Sequence, residues 1–144
     1  MTDGSEKEPF NFWKDHSNQF LEMALGASKR GRLEKADGYG LKKGDCGDSV
    51  EFFLEVKHNR ITSVVYDLNG CLHTNACANT ITVLAEHKTV EEAWGITPEQ
   101  IAEYLATLPQ DHFHCAELAA GAFYLALADY QKTAGFPSRR PTRG

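Results

Sequence analysis

The sequence predicts an α+β fold, in which an antiparallel β-hairpin is surrounded by helices. Residues 50–57 alternate apolar and polar side chains with the period of two that is typical of a half-buried strand. Residues 61–68 form a second β-branched run after a turn signal at His58-Asn59, so we expect the two runs to pair as a hairpin. The flanking segments have helical apolar spacing, and strands grouped apart from helices are typical of α+β domains.

Length and composition indicate one domain. The chain has 144 residues, 42% of them hydrophobic and 24% charged, which is enough to bury a core without disulfides. Its net charge of −5 argues against a nucleic-acid partner bound through a broad basic face. No apolar run in the sequence approaches the ~20 residues that span a bilayer, so no membrane partner is expected. The polar start does not resemble a secretory signal, which predicts a cytoplasmic protein.

Before the hairpin we expect a helix and a loop. Residues 1–9 are predicted to be a disordered N-terminus. Apolar residues at helical spacing predict an amphipathic packing helix over residues 10–29, ended by Gly31 and Arg32. Residues 34–45 are rich in glycine and are interpreted as a loop with a short edge strand at 39–42.

After the hairpin, the apolar spacing predicts four helices over residues 74–86, 90–94, 98–108 and about 114–132. Thr89 with Glu92 fits a capping box at the start of the second of these. Thr97-Pro98 combines an N-cap threonine with proline at the first helical position, which predicts the start of the third. Residues 110–113 are interpreted as a short connector, and residues 133–144 as a basic flexible tail.

The chain contains four cysteines, at positions 46, 71, 77 and 115. In a reducing cytosol they are better interpreted as ligands or reactive thiols than as two disulfides. Cys71 lies at a strand-to-helix junction and Cys115 in the first turn of the last helix, where the positive helix end favours a thiolate. Cys77 lies inside a predicted helix, so it is either a further ligand or a small buried hydrophobic residue.

The candidate ligands are Cys46, Asp48, Cys71, His114 and Cys115. Their spacing is not that of a zinc finger, because no C-x2-C pair occurs and the fold must assemble them. Three thiolates with one carboxylate or imidazole make a plausible four-coordinate shell for zinc or iron. An oxygen or nitrogen ligand in place of a fourth thiolate gives a more exchangeable bond, which suits a protein that releases what it holds.

Three motifs together resemble the NifU/IscU family of iron–sulfur cluster assembly scaffold proteins, that is, the NifU N-terminal domain. They are Cys46-Gly47-Asp48 before a strand, Gly70-Cys71 at a strand end that opens a helix, and His114-Cys115 at the start of the last helix. Ala128-Asp129-Tyr130 near the end of that helix adds to the resemblance. It extends from about residue 20 to residue 132, within a scaffold domain predicted over residues 10–132.

The resemblance implies a small antiparallel sheet of about three strands packed by about five helices. It also implies a carrier rather than an enzyme, holding a transient [2Fe–2S] cluster at Cys46, Cys71 and Cys115. Asp48 and His114 would be further ligands or groups that tune lability. Sulfur would come from a cysteine desulfurase with Cys115 as persulfide acceptor, and the cluster would pass to apo iron–sulfur proteins. Members of the family also bind Zn²⁺ at these residues, and either a monomer or a homodimer is compatible.

The chain departs from the IscU branch in two places. Residues 110–115 replace the second proline, the valine and the lysine that an Hsp70-type chaperone reads, so that chaperone is not a predicted partner. Residues 72–77 replace a helix start rich in Gly, Ser and Ala. His73 and Cys77 are therefore candidates for extra ligand or relay roles.

Two other functions remain open at this point. The first is a zinc-bound sulfur-transfer partner that accepts persulfide from a desulfurase, and the second is a zinc-stabilised protein-interaction domain. A conventional hydrolase is disfavoured because neither G-x-S-x-G nor H-E-x-x-H occurs in the sequence. His114 and Cys115 make a poor base–nucleophile pair, because neighbours on a helix point about 100° apart.

Overall fold

The computed structural model describes residues 17–45 and 47–134, and over these residues it contains one three-stranded antiparallel sheet and five α-helices. The strands lie in the order β1–β2–β3, with bounds Gly38–Lys43, Ser49–Lys57 and Arg60–Asn69. The helices are α1 (Asn18–Leu25), α2 (Leu72–Ala85), α3 (Val90–Ala93), α4 (Pro98–Leu105) and α5 (Phe113–Ala134), with a 3-10 turn at Gln110–His112 before α5. The predicted α+β class and its sheet are confirmed.

The hairpin between β2 and β3 forms where it was predicted. His58 and Asn59 adopt positive φ angles of 54° and 63°, the left-handed conformation that a tight two-residue turn requires. The predicted edge strand also forms, and β1 pairs antiparallel with β2 along its whole length. None of the helices in the described part of the chain is long and apolar enough to cross a membrane.

Phe53 departs from the predicted alternation of β2, because it points away from the main core and is nevertheless buried, with 5% of its surface exposed. The ring of Tyr39 lies 5.1 Å from its ring, and the guanidinium of Arg32 lies 5.0 Å from its centroid. A cation over an aromatic face is attracted by the ring's negative surface. The segment before β1 therefore covers the outer face of the sheet at this point.

Helix α5 packs directly on β1 because the strand carries glycines where the two backbones meet. A Cβ atom at Gly40 would lie 2.4 Å from both the carbonyl oxygen of Ala122 and the amide nitrogen of Ala126. At Gly38 it would lie 2.5 Å from the Ala126 carbonyl oxygen. Any larger side chain would push the helix off the strand, so this contact sets the position of α5 and of the residues at its start.

A buried polar network joins α1 to the start of α2. The Asn75 side-chain amide donates to the carbonyls of Ala24 and Gly26 at 2.9 and 3.0 Å, and accepts a 2.8 Å hydrogen bond from the Tyr66 hydroxyl. The last carbonyls of a helix lack partners within the helix, so Asn75 satisfies groups that α1 would otherwise leave buried and unpaired. The network holds the first turn of α2 in place.

Several predicted boundaries need correction or fall outside the description. α1 ends at Leu25 and not near Lys29, because Gly26 caps it and the chain then turns to form a bridge between Arg30 and Tyr66. α5 continues to Ala134, two residues into the predicted tail that began at 133. Residues 1–16 and 135–144 lie outside the described residues. The starts at Thr89 and Thr97 were predicted correctly: the Thr89–Glu92 capping box forms, and the Thr97 hydroxyl accepts from the Gln100 amide. α2 begins at Leu72, two residues before the predicted start at 74, and α4 ends at Leu105 and not at 108, because Ala106 leaves the helical conformation with a φ of 66°.

Candidate metal centre

Two helix starts bring Cys71, His112 and Cys115 together at one end of the sheet. Cys71 is the N-cap residue of α2, directly after β3, and Cys115 lies in the first turn of α5. One ligand atom from each of the three residues lies within 4.8 Å of the other two. Thiolate and imidazole are the donors that zinc and iron take in proteins, and three of them leave a coordination position open.

Gly70 allows the carboxylate of Asp48 to approach this group. A Cβ atom at Gly70 would lie 3.0 Å from both Asp48 Oδ2 and Thr74 Oγ1, which is tighter than most side-chain contacts. A larger residue would therefore crowd the carboxylate and the first turn of α2. The Gly70-Cys71 motif thus has a steric reason in this chain.

The buried hydroxyl of Thr74 connects Asp48 to both thiols. Its oxygen lies 3.0 Å from Asp48 Oδ2, 3.5 Å from Cys115 Sγ and 3.6 Å from Cys71 Sγ. The hydroxyl carries one hydrogen, and a carboxylate is a stronger acceptor than sulfur, so Thr74 donates to Asp48. Thr74 therefore places Asp48 beside the two cysteines, although it was not predicted as a site residue.

Three imidazole rings border the thiols. The rings of His73 and His112 stack with centroids 3.8 Å apart and planes 12° apart, and the ring of His114 lies 5.9 Å from that of His112. His73 Nδ1 lies 3.7 Å from Cys71 Sγ, and His114 Nε2 lies 3.7 Å from Cys115 Sγ. His112 and His73 are half-buried, whereas His114 is exposed. The imidazole nitrogens beside the thiols thus range from half-buried, at His73 and His112, to exposed, at His114.

Burial raises the pKa of both interior thiols. The pKa of Cys115 is raised to about 11, mainly by desolvation and further by Cys71 and Asp48, against a smaller lowering by Thr74. The pKa of Cys77 is raised well above its ordinary value, again mainly by burial. At Cys115 burial therefore outweighs the helix end that was expected to favour the thiolate. A bound cation reverses this balance, since metal binding requires and stabilises the deprotonated ligand.

The residues present fit a metal ion. Cys71 and Cys115 supply two sulfur donors and His112 supplies a nitrogen. Within residues 17–45 and 47–134, His112 Nδ1 is the one buried side-chain nitrogen or oxygen atom without a hydrogen-bond partner. Buried polar atoms are nearly always paired, so an orphaned imidazole nitrogen beside two thiols is consistent with a ligand in this position.

The structure brings most of the predicted site residues together. Cys71 and Cys115 lie side by side, Asp48 reaches them through Thr74, and His114 contacts Cys115 from the rim. His114 and Cys115, which were predicted to make a poor base–nucleophile pair, have Nε2 3.7 Å from the sulfur. Cys46 lies outside the described residues.

Cys77 is fully buried in the core and does not belong to the donor group found in the described residues. Its sulfur is nevertheless close enough to Cys71 and Cys115 for both to raise its pKa. His112 was missed by the sequence analysis, which placed it in a connector. The signal that could have found it is its spacing of three residues from Cys115, which puts two side chains on one face of a helical turn.

Comparison with known proteins identifies relatives over most of the chain. The NifU-like N-terminal domain family matches residues 17–135. The chain is 39% identical over 121 residues to the iron–sulfur cluster assembly scaffold protein IscU 1 of Archaeoglobus fulgidus, covering 83% of this chain and 79% of that protein. It is 36% identical over 125 residues to the iron–sulfur cluster assembly scaffold protein IscU of Haemophilus influenzae, covering 83% of this chain and 98% of that protein.

A solved structure has the same fold. The crystal structure of the N-terminal part of a NifU-like protein from Brucella abortus superposes with a TM-score of 0.68 at 13% identity, covering 81% of this chain and 94% of that one. The match of family, relatives and fold agrees with the order of the cysteine motifs along the sequence. The chain belongs to the NifU N-terminal domain family.

Proposed function

We propose that this chain is a scaffold on which a transient [2Fe–2S] cluster is assembled and from which it passes to apo-proteins. The observation that carries this proposal is the group of Cys71, His112 and Cys115, whose donor atoms lie within 4.8 Å of one another in a member of this family. Cys71 and His114 are exposed, so the site is open to solvent on one side. An open site suits a carrier that must load and release its cargo, and no turnover chemistry is assigned to it.

The proposed ligands are Cys46, Cys71 and Cys115, with a histidine in addition. His112 is the stronger candidate for the nitrogen ligand because it belongs to the compact donor group, whereas His114 contacts Cys115 from the rim. Asp48 is proposed to tune lability, since Thr74 keeps its carboxylate beside the thiols. Zn²⁺ takes the same donor types, so a zinc-loaded form of the same site is also proposed.

Sulfur is proposed to come from a cysteine desulfurase, with Cys115 as the acceptor. In this step the Cys115 thiolate attacks the terminal sulfur of the donor's persulfide, the donor's S–S bond breaks, and the donor cysteine leaves as a thiolate. Cys115 is only 1% exposed in the metal-free chain, whereas Cys71 is exposed, so the two cysteines must be tested separately.

Anaerobic reconstitution tests the scaffold function. Metal-stripped protein is mixed with ferrous iron, cysteine, a cysteine desulfurase and dithiothreitol. Reduction of two transferred sulfurs to sulfide takes four electrons, of which two come from oxidation of the two ferrous ions to ferric ions and two from dithiothreitol. Visible charge-transfer absorption reports cluster formation, and an apo-ferredoxin is then added as acceptor. We expect a cluster that forms and then moves to the ferredoxin.

Cys77→Ala is the matched control, because it removes a buried thiol outside the donor group, and it should behave as the wild type. The absence of both cluster and transfer in the wild type would contradict the scaffold function. Persulfide on the protein with tightly bound zinc and no cluster would instead favour a sulfur-transfer partner.

The acceptor assignment has its own test. After incubation with desulfurase and cysteine, a persulfide-specific alkylating label is mapped to each cysteine by mass spectrometry of peptides. Cys115→Ser should abolish labelling by the desulfurase, while Cys71→Ser should leave the label on Cys115. Unchanged total labelling of the Cys115→Ser protein would show that another cysteine is the acceptor.

A further inference from the structure

We propose that His73 is a positioning residue, which holds the imidazole of His112 in the metal centre by stacking against its ring. The inference rests on the proposed function, because it takes His112 as a metal ligand. It concerns a residue at the second position of α2, two residues after Cys71, where a histidine is not needed for helix formation. The effect proposed for His73 is exerted through the ring of His112, beside the direct contact of His73 Nδ1 with Cys71 Sγ at 3.7 Å.

The geometry of the two rings carries the proposal. The centroids of His73 and His112 lie 3.8 Å apart and the planes are 12° from parallel, which is close ring-to-ring contact. The ring of His73 also contacts that of Phe20, at 5.6 Å between centroids, and Phe20 is fully buried in the core. His73 therefore connects a fixed core residue to the candidate ligand.

His112 needs such a support more than most metal-binding histidines. A ligating imidazole is usually oriented by a hydrogen bond from its other ring nitrogen to a carboxylate or carbonyl. The hydrogen bonds found among the described residues include none to either nitrogen of the His112 ring, and His112 lies on a 3-10 turn of three residues before α5. The ring of His73 lies closer to this imidazole than the ring of His114, at 3.8 against 5.9 Å between centroids, and is the contact proposed to fix its plane.

The stack also joins the two elements that carry the thiols. His73 belongs to α2, whose N-cap is Cys71, and His112 directly precedes α5, whose first turn holds Cys115. Ring contact between His73 and His112 holds the start of α2 and the start of α5 at a fixed distance from each other. Removing the ring should therefore loosen the nitrogen donor while leaving both cysteines present.

Binding of Co²⁺ tests the proposal, because its spectrum reports the ligands directly. Metal-stripped protein is titrated with Co²⁺ under anaerobic conditions, and the sulfur-to-cobalt charge-transfer and d–d bands are recorded. His73→Leu removes the ring at similar volume, and His73→Phe keeps a ring that can stack but has no nitrogen. We expect about a 10-fold weaker affinity and altered d–d bands for the leucine variant, as for loss of an outer-shell partner. The phenylalanine variant should remain within about 2-fold of wild type.

A double-mutant cycle isolates the effect on His112. In a His112→Ala background, His73→Leu should change the Co²⁺ affinity no further, because the ring that it positions is gone. His58→Asn is the matched control, since it replaces a histidine at the hairpin turn with a residue that tolerates its positive φ. Thermal unfolding of each metal-free variant shows whether it is folded, and His73→Asn serves as a second ring-less variant if the leucine variant is not.

The possible outcomes distinguish a failure of the role of His73 from a failure of the metal centre itself. Equal losses for the leucine and phenylalanine variants would mean that the nitrogen of His73 matters and would overturn positioning by stacking. Wild-type affinity and spectrum in the leucine variant would overturn any role of His73 and leave the metal centre intact. A wild-type protein without sulfur-to-cobalt bands would overturn the metal centre and, with it, the role of His73.

Discussion

Cys71 and Cys115 occupy equivalent places, at the start of a helix, in opposite environments. Cys71 is the N-cap of α2 and is exposed, whereas Cys115 lies in the first turn of α5 and is 1% exposed. Both sulfurs lie near the Thr74 hydroxyl, at 3.6 and 3.5 Å. One thiol of the pair faces solvent and the other faces the core.

The difference shows that a helix end alone does not make a reactive thiol. Both cysteines have the positive end of a helix beside them, yet the pKa of Cys115 is raised to about 11 because burial removes the solvation of the thiolate. Desolvation is the larger effect at Cys115. We therefore expect thiol reagents in solution to react with Cys71 before they react with Cys115.

The largest expected effect that tests this comparison is the difference in alkylation rates. With a pKa of about 11, about one Cys115 thiol in a thousand is a thiolate at pH 8. In metal-free protein we expect iodoacetamide to modify Cys71 far sooner. The rate at Cys115 should rise about tenfold per pH unit while the pH is well below its pKa, because the thiolate is the nucleophile. Peptide mass spectrometry measures each rate, and equal rates at pH 8 would break the comparison.

Loss of either thiol should weaken metal binding strongly. Four-ligand zinc sites are worth roughly 10–16 kcal/mol, so Cys71→Ala and Cys115→Ala should each lower Zn²⁺ affinity by about 100-fold or more. Competition with a chromogenic chelator measures the affinity. Cys77→Ala is the control and should stay within about 3-fold of wild type. If only one of the two variants lost affinity, the exposed and buried cysteines would not share one site.

The support beneath Cys71 is expected to affect stability. Asn75→Leu should lower the free energy of unfolding by about 2–4 kcal/mol, because it leaves the carbonyls at the end of α1 and the Tyr66 hydroxyl buried without partners. Denaturant unfolding measures this change. Asn69→Ala, at the exposed end of β3, should cost less than about 0.5 kcal/mol. A small effect at Asn75 would mean that Cys71 is held by packing alone.

The smallest expected effect concerns the carboxylate between the two thiols. Asp48→Ala should make a reconstituted cluster live several-fold longer if Asp48 sets lability, and Thr74→Val should shift the lifetime by less, because it frees the carboxylate without removing it. Decay of the cluster absorption after addition of a chelator gives the lifetimes. Faster decay in the Asp48→Ala protein would assign Asp48 a holding role instead.

Local signals in the sequence were sufficient for most of the fold. The two strands of the hairpin, the turn at His58-Asn59 and the capped helix starts at Thr89 and Thr97 depend on contacts a few residues apart, so spacing and residue type reveal them. The end of α1 was misplaced because a bridge to β3 draws the chain away after Gly26. That contact is not visible in local periodicity.

The order of the cysteine motifs in the sequence was sufficient to single out Cys71 and Cys115, which the structure brings together. His112, Thr74 and Asn75 were missed for a common physical reason. Each acquires its role from partners on another element: the His73 ring, the Asp48 carboxylate and the end of α1. A polar residue in a helical pattern does not reveal by itself which distant group it will meet.

The glycines of β1 have a consequence for how this domain could be altered. Cys46, a proposed ligand, follows three residues after the end of β1 in the sequence, and α5 carries Cys115 at its start, so the backbone contact at Gly40 joins the two elements that precede and carry these cysteines. An alanine at Gly40 would tilt the helix away from the strand without touching a ligand. In a mutational scan, substitutions at Gly40 should therefore be as poorly tolerated as those at a binding residue, although Gly40 contributes only the absence of a side chain.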